Sequence, residues 1–489
     1  MAVWVVAAVV MAAPVRGEVT FDRWYVLQLQ GQRAGWARLT ETQNDDRITS
    51  DTAMHIEVKR GTFAMSIAIQ TTFVETADGQ PIEALVQQRM GGQGGMTQTM
   101  RFTPAGIEVT SVEGQSRRTQ MHPSPAVAWL PPAASQRHIQ AAFDQGRQEV
   151  TFHSIDPAVG PQPVATTVKL VGEDAIDVMG RVVPAKVLDL TVDIMPGAVI
   201  RQYADDAMTV LRQTVTLGPG LSLEMLAADE QLAKAKLDPP EMLVQSLVKP
   251  DRAIVQPREL RRAVYRLRLD GPADVPTTGV QRVEPADGGV TVTVDLDAPA
   301  APLAADVPDA THLAASPALN HEDPAVRDAT TRALSKVPAD ATDASKAEAL
   351  RRFVATHVQA KDLSVGFATA SEVVRTGQGD CTEHAVLLAA MLRAAGIPSR
   401  TVTGLIYVEQ FVGQRDVFGY HLWTQAWLDG RWTDLDATLP DRPFDAAHIA
   451  LGTSAMAEPS LVNDLVTMMP LLGRLRIEVV EPAAAPASR

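Results

Sequence analysis

A single cysteine, Cys381, is the feature that most limits how this chain of 489 residues can fold. One thiol cannot form an intramolecular disulfide, so the chain is not a disulfide-stabilised scaffold. A zinc or iron–sulfur site built from several cysteines is excluded for the same reason. The fold must therefore be stabilised without cross-links, and the length predicts roughly three domains of about 150 residues each.

The charge balance argues against one class of partner. The chain has 44 Lys and Arg against 58 Asp and Glu, a net charge of −14. A nucleic-acid binder needs a basic face that neutralises phosphates, so we expect no nucleic-acid partner. The hydrophobic share of 46% is that of an ordinary globular protein.

The amino terminus favours export. Residues 2–15 are uninterruptedly apolar, but they are fewer than the roughly 20 residues that span a bilayer. We interpret residues 1–17 as a signal peptide and expect a secreted or periplasmic protein. No Lys or Arg precedes the apolar run, and a buried first strand is the alternative. No other long apolar run follows, so no stable membrane anchor is expected.

Residues 20–226 show the alternation of apolar and polar side chains that is typical of antiparallel β-structure. The proline-rich segment 123–132 divides this region into two unequal halves. Trp24, Trp36 and Trp129 either line a cleft or anchor the core and the sheet edges. Individual strands are predicted at Thr97–Thr103, Ile107–Val112, Val168–Val171, Val187–Val192 and Met208–Leu217.

The composition changes several times after this region. Residues 228–257 are a charged, proline-punctuated linker, and 258–297 are predicted to form a small β unit. Residues 312–480 form a further unit that begins with predicted helices at 323–337 and 342–360. A helix at 465–472 and a strand at 475–480 are predicted near its end, followed by a disordered tail at 481–489.

The cysteine lies at the start of a predicted helix. Gly377-Gln378-Gly379-Asp380 precedes it, and apolar residues then recur at helical spacing as far as Gly396. The unpaired N–H groups and the dipole at a helix start favour an anion, so the position suits an attacking thiolate. The alternative is a small buried core residue, as free cysteines often are.

A predicted hairpin supplies a base and a carboxylate. Its strands begin at His421 and Arg431 and meet at the turn Asp429-Gly430. Counting back from that turn places Asp436 diagonally beside His421, whereas Asp434 lies two residues farther along. The register therefore selects Asp436 as the group that orients the imidazole. Cys381, His421 and Asp436 together predict acyl transfer through a thioester.

These motifs together resemble the bacterial transglutaminase-like superfamily over roughly residues 340–445. The residues that carry the resemblance are Gly379–Ala385, Leu387–Arg400, His421-x-Trp423 and Trp432-x-x-Leu435-Asp436-Ala437-Thr438. The resemblance implies a papain-like α+β core with Cys381 as nucleophile, His421 as base and Asp436 as third member. The expected fold class is thus an α+β multidomain protein, with this core at the C-terminal side and an antiparallel β-rich part before it.

Two functions are compatible with these expectations. The first is an exported thiol enzyme acting on peptide, isopeptide or glutamine amide bonds of a protein or peptide substrate, with the cell envelope as one source. Water as acceptor gives hydrolysis, and an amine gives crosslinking. The second is an envelope scaffold whose β-rich region does the work. No cofactor or metal is expected, since the chain has no His-x-x-x-His pair and no Asp-rich calcium loop. The Cys381 backbone N–H is the expected oxyanion donor. His384 is expected either to have a structural role or to support the site from beside it.

Overall fold

The structure is a computed structural model. It describes residues 17–60, 63–90, 95–113, 116–194, 199–218, 221–240, 247–269, 275–298, 306–359, 368–411, 413–456 and 475–484. Residues 1–16 of the predicted signal peptide and the predicted helix at 465–472 lie outside the described residues. Among the described helices, none is both long and apolar enough to cross a bilayer.

The first part of the chain forms one large antiparallel sheet, as the alternation predicts. Within the described residues it has fourteen strands, in the spatial order β8-β7-β6-β5-β4-β3-β2-β1-β14-β13-β12-β11-β10-β9. In chain order, β1 to β14 are Glu18–Leu29, Gln32–Asn44, Arg47–Arg60, Phe63–Thr76, Pro81–Met90, Gly95–Thr103, Gly106–Glu113, Ser116–His122, Glu149–Ser154, Val164–Val178, Arg181–Val192, Ile200–Ala204, Val210–Gly218 and Leu221–Ala228.

The two halves on either side of the proline-rich segment are two meanders of this one sheet. They join where the first strand pairs with the last, because β1 pairs antiparallel with β14 from Trp24↔Ala228 to Leu29↔Leu223. A helix that the sequence analysis missed, α1 (Pro132–Asp144), follows the proline-rich segment. The buried carboxylate of Glu75 accepts hydrogen bonds from the first N–H groups of this helix, Ala133 N at 2.9 Å and Ala134 N at 3.0 Å. The carboxylate thereby satisfies donors that have no acceptor within the helix.

The tryptophans of this region act as anchors. Trp24 and Trp36 lie 5.3 Å apart, and the Lys234 ammonium covers Trp24 at 4.5 Å from the ring centre. Lys234 ends the short helix α2 (Glu230–Ala233), so the two rings hold this helix against the sheet. Trp129 packs against a core that contains Phe73. Core and edge packing therefore describes these residues better than a cleft.

The remaining strands form two four-stranded sheets, here called sheet 2 and sheet 3. Sheet 2 has the order β16-β17-β15-β22, and sheet 3 has the order β20-β19-β18-β21. In chain order, β15 to β22 are Leu260–Leu269, Gln281–Ala286, Gly289–Asp295, Ser399–Phe411, Gln414–Leu428, Arg431–Leu435, His448–Ser454 and Leu475–Ala484. The predicted helices are α3 (Pro324–Leu334) and α4 (Asp343–His357), followed by α5 (Ala370–Thr376) and α6 (Cys381–Ala394).

Sheet 3 lies between the helices and sheet 2. One hydrophobic core joins the helices to Ala426, Leu428 and Leu435 of sheet 3. A second core joins Trp423 and other residues of sheet 3 to sheet 2, where Leu267 is fully buried. The predicted α+β class is confirmed, with the helical unit on the C-terminal side of the large sheet.

The end of the chain differs from the prediction. The strand predicted at 475–480 exists, but it continues to Ala484, and it pairs with β15 of the small β unit. Residues 481–484 are paired with β15 between Leu260 and Val264, so the expectation of a disordered tail is wrong for these four residues. The ladder hydrogen bonds order them although their composition is that of a loop. Residues 485–489 lie outside the described residues.

The packing of sheet 2 on sheet 3 generates a stability prediction. Leu267→Ala removes a fully buried side chain from the shared core, which we expect to lower the free energy of unfolding by about 2–5 kcal/mol. Urea denaturation followed by tryptophan fluorescence measures this loss. Leu313→Ala, at a side chain that is 42% exposed, is the matched control. Equal losses in the two variants would contradict the packing.

Candidate active site

Cys381 is the first residue of α6, as predicted. Asp380 caps the helix, and its side chain accepts from Thr382 N at 2.9 Å. Glu383 completes the capping box by accepting from Asp380 N at 2.9 Å. Both motif residues beside the cysteine therefore serve to begin the helix at a defined position. Cys381 is partly exposed to solvent.

The backbone at Gly379 passes so close to the Glu383 side chain of this helix that the position requires a glycine. Its φ of +149° is one that other residues rarely adopt, and a Cβ placed there would lie 2.2 Å from Cβ of Glu383. Glu383 is fully buried and also accepts from Ala368 N at 3.1 Å. Burial, followed by the charge of Asp380, raises the pKa of Glu383 to about 8. The glycine thus makes room for a buried carboxyl group that ties the helix start to the preceding segment.

His384 has a place in the same turn. Its side chain is buried, and Nδ1 donates to the Asp380 carbonyl oxygen at 2.6 Å. This contact agrees with the structural role, one of the two expected for His384.

His421 lies on β19, and the hairpin that carries it has the predicted register. Leu428 pairs with Arg431, Trp427 with Trp432 and Gln425 with Asp434. Asp429 and Gly430 both have positive φ, +51° and +77°, which is the geometry of a two-residue type I′ turn. β20 ends at Leu435, so Asp436 follows directly after the ladder.

Asp436 is the carboxylate that contacts His421. His421 Nε2 donates to Asp436 Oδ2 at 2.8 Å, whereas Asp434 accepts from the Trp423 indole N–H at 2.9 Å. The other oxygen of Asp436 accepts from both the backbone N–H and the hydroxyl of Thr438, each at 2.7 Å. The hairpin thus brings Asp436, and not Asp434, into hydrogen-bonding contact with His421.

The electrostatics of the pair favour the charged forms. Burial alone would raise the pKa of Asp436, but the charge of His421 and hydrogen bonds from His421 and His448 hold it well below its usual range. Burial lowers the pKa of His421, yet the Asp436 charge and hydrogen bonds to Asp436 and Cys381 raise it to about 9. Because Nε2 faces Asp436, the ring nitrogen left for the Cys381 sulfur is Nδ1. The imidazole of His421 is thus hydrogen-bonded to Asp436 and interacts electrostatically with Cys381.

Trp423 forms a wall beside the imidazole. Its ring stacks on His421 with centres 6.1 Å apart and planes inclined by 25°. The indole is held by Asp434, which also accepts from Gln425 Nε2 at 2.7 Å and from Val280 N of the small β unit at 3.2 Å. Asp434 therefore fixes the tryptophan that limits the movement of His421.

Sequence reasoning missed two residues of the site, His448 and Asp445. His448 Nε2 donates to Asp436 Oδ2 at 3.2 Å, and His448 Nδ1 donates to Asp445 Oδ1 at 3.0 Å. Asp445 in turn accepts from Arg258 at 2.7 Å. His448 begins β21, which reaches the site by pairing with β18. No local motif marks that pairing, so only the spacing Asp-x-x-His was available as a signal.

His421, Asp436 and His448 carry atoms of the kind that bind metal ions. One ligand-type atom each from His421, Asp436 and His448 lies within 4.8 Å of the other two. All three atoms are already engaged with one another in the hydrogen bonds at 2.8 and 3.2 Å. We therefore interpret the group as a hydrogen-bonded relay.

A cysteine at a helix start, a histidine on a strand and an aspartate after the next strand define a papain-like arrangement. Comparison with known families agrees with it, since residues 330–437 match the transglutaminase-like superfamily. The chain therefore carries a transglutaminase-like domain in this segment, as the resemblance implied. No curated protein sequence matches the chain significantly.

Several solved structures share parts of the fold at low similarity. A β-barrel-like protein of a domain of unknown function from Brucella abortus is 15% identical, with a TM-score of 0.33, over 42% of this chain and 95% of its own. A candidate cysteine protease from Cytophaga hutchinsonii is 13% identical, with a TM-score of 0.29, over 50% and 88%. The periplasmic domain of TgpA from Pseudomonas aeruginosa is 16% identical, with a TM-score of 0.26, over 39% and 88%. At these scores, no functional inference rests on them.

The tight helix start generates one prediction. Gly379→Ala places a methyl group against Glu383 in a strained backbone conformation, so we expect the free energy of unfolding to fall by about 1–3 kcal/mol. Gly419→Ala is the control, because its Cβ would make only an ordinary contact at 3.5 Å. Thermal melting of both variants measures the difference. A Gly379→Ala protein as stable as Gly419→Ala would refute this account of the loop.

A second prediction concerns alkaline pH. Burial opposes protonation of both His421 and His448, yet neighbouring carboxylates raise each pKa from 6.5 to about 9. A group whose pKa is higher in the folded than in the unfolded protein stabilises the fold fully at pH values below its unfolded-state pKa. This stabilisation is lost as the pH rises through the folded-state pKa. We therefore expect the melting temperature to fall between about pH 6.5 and pH 9. In Asp436→Asn this fall should be smaller. Identical alkaline profiles would show that Asp436 does not hold the rings protonated.

Proposed function

We propose that this protein is an exported thiol enzyme that transfers an acyl group through a thioester on Cys381. The observation that carries the proposal is the hydrogen bond from the buried imidazole of His421 to Asp436, with the partly exposed Cys381 interacting with the same ring. The acyl donor is a peptide, isopeptide or glutamine amide bond of a protein or peptide. The apolar run at residues 2–15 supports export to the periplasm or the medium.

The first half of the reaction uses the charged pair. The Cys381 thiolate attacks the carbonyl carbon of the amide, and the oxygen takes up the negative charge. The Cys381 backbone N–H has no acceptor within its own helix, and we assign it to this oxygen as oxyanion donor. The imidazolium of His421 then gives its Nδ1 proton to the leaving nitrogen as the C–N bond breaks. The products are the thioester and a free amine, or ammonia when the donor is a glutamine side chain.

The second half reverses the proton transfer. Water or an amine attacks the thioester carbon and gives a proton to His421, and the sulfur leaves as a thiolate. Asp436 keeps the ring oriented in both halves, because its two oxygens are held by His421 and Thr438. Water as acceptor completes hydrolysis, and a primary amine completes crosslinking.

Three substitutions test the proposal. We expect Cys381→Ala and His421→Ala to abolish acyl transfer, and Asp436→Ala to leave a weak residual rate. His138→Ala, on the exposed side of α1, should keep the wild-type rate. The assay uses glutamine, peptide and isopeptide donors with and without an added amine, so that crosslinking and hydrolysis are read separately.

The assay also covers the competing function. Full activity in Cys381→Ala would refute the thioester mechanism. No turnover on any donor, together with no labelling of Cys381 by a thiol-reactive probe, would favour an envelope scaffold whose large sheet does the work.

A further inference from the structure

His448 donates to the same carboxylate as His421. The same oxygen, Oδ2, accepts from His421 at 2.8 Å and from His448 at 3.2 Å. The His448 side chain is fully removed from solvent and packs on Phe444, with ring centres 4.3 Å apart. The arrangement leaves His448 one orientation, with both ring nitrogens directed at carboxylates.

The protonation of His448 follows from its partners. An ionised carboxylate only accepts hydrogen bonds, so both His448 nitrogens must donate, one to Asp436 and one to Asp445. The ring is then an imidazolium. Asp445 is itself fully buried and paired with the Arg258 guanidinium at 2.7 Å.

The result is a row of alternating charges. From the sulfur inward, the row consists of Cys381, His421, Asp436, His448, Asp445 and Arg258, with the signs −, +, −, +, −, + when the thiol is ionised. Each group in the row has only groups of opposite charge as its neighbours in the row, and the net charge of the six groups is zero. The attraction between neighbouring opposite charges offsets the free-energy cost of removing these ions from water. Unpaired buried charges would have no such compensation.

We infer that His448 and Asp445 are positioning residues for the proposed reaction: the cationic His448, held by Asp445, fixes the carboxylate that orients His421. The inference rests on the proposed function, because it concerns how the imidazole of that mechanism is held. Neither residue reaches the reacting atoms. Their effect is to restrain Asp436 beside His421, since Oδ2 accepts hydrogen bonds from both imidazoles.

The charged groups around His448 come from several elements. Asp436 and Asp445 are its direct partners. The ring centres of His448 and His421 lie 5.7 Å apart, and burial raises the pKa of Asp434 whereas the charge of His448 lowers it. Arg258, in the segment before sheet 2, acts on Asp445, and the Asp445 charge acts in turn on the hydroxyl of Tyr265 in sheet 2. The nearest groups of opposite sign are the two partner carboxylates, and they favour the charged ring.

The test follows the alkylation rate of Cys381 by iodoacetamide at about pH 7 in the full chain, which needs no substrate. His448→Phe keeps a ring but no donor, and we expect alkylation to slow about 10-fold, toward the rate of His421→Ala. His448→Gln supplies an amide N–H to Asp436 and should recover most of the wild-type rate. His357→Phe, at a half-buried histidine of α4, is the control for loss of a histidine elsewhere.

A second measurement reads the protonation directly. Nitrogen NMR of protein with ¹⁵N-labelled histidine, assigned by comparison with His448→Gln, should show both His448 nitrogens protonated at neutral pH. Asp445→Asn offers an amide in place of the carboxylate, so His448 should then lose a proton at lower pH. Both readings are taken on variants whose melting curves show a folded protein.

The outcomes separate the two proposals. If His448→Phe alkylates at the wild-type rate, or if His448→Gln is as slow as His448→Phe, the positioning role is wrong, and so it is if the His448 ring is neutral. If wild type and His421→Ala alkylate equally fast, the thiolate–imidazolium pair of the proposed function is itself wrong.

Discussion

The site depends on one carboxylate, Asp436, that is almost completely removed from water. A charge in that position is costly unless each of its oxygens is satisfied. Here His421 and His448 share one oxygen, and Thr438 binds the other with its N–H and its hydroxyl. Because these four donors satisfy the carboxylate, the imidazole that it orients is held in one place, and the thiol at the start of α6 has a defined partner.

The local parts of this arrangement are predictable because each has a local physical cause. The Asp429-Gly430 turn fixes the hairpin register, and the register alone distinguishes Asp436 from Asp434. The glycine and capping residues before Cys381 place the thiol at a helix start. The strands of the large sheet follow from alternation, although α1 was missed because its proline-rich start does not carry a clear helical pattern.

The parts of the site and of the chain end that could not be predicted depend on long-range pairing. His448 reaches Asp436 only because β21 pairs with β18 across more than forty residues, from Thr401↔Ser454 to Ile406↔His448. The strand at the end of the chain pairs with β15, more than two hundred residues earlier, as in Leu269↔Leu475. No turn or periodicity specifies such a partner, since many strands of similar composition compete for it. The supposed tail at 481–484 was misjudged for the same reason.

The row of charges extends beyond the segment that matches the family. The match ends at residue 437, directly after Asp436. The side chains behind that carboxylate lie beyond the match on both sides, with Asp445 and His448 after it and Arg258 before it. Arg258 also bonds the Tyr407 carbonyl oxygen, so it connects the segment before sheet 2 to sheet 3 as well as to the charge row. The matched segment therefore contains Cys381, His421 and Asp436 but not the other charges of the row. A fragment cut to the match would leave the Asp436 carboxylate without His448, and a fragment that keeps the whole row must begin before Arg258 and include β21.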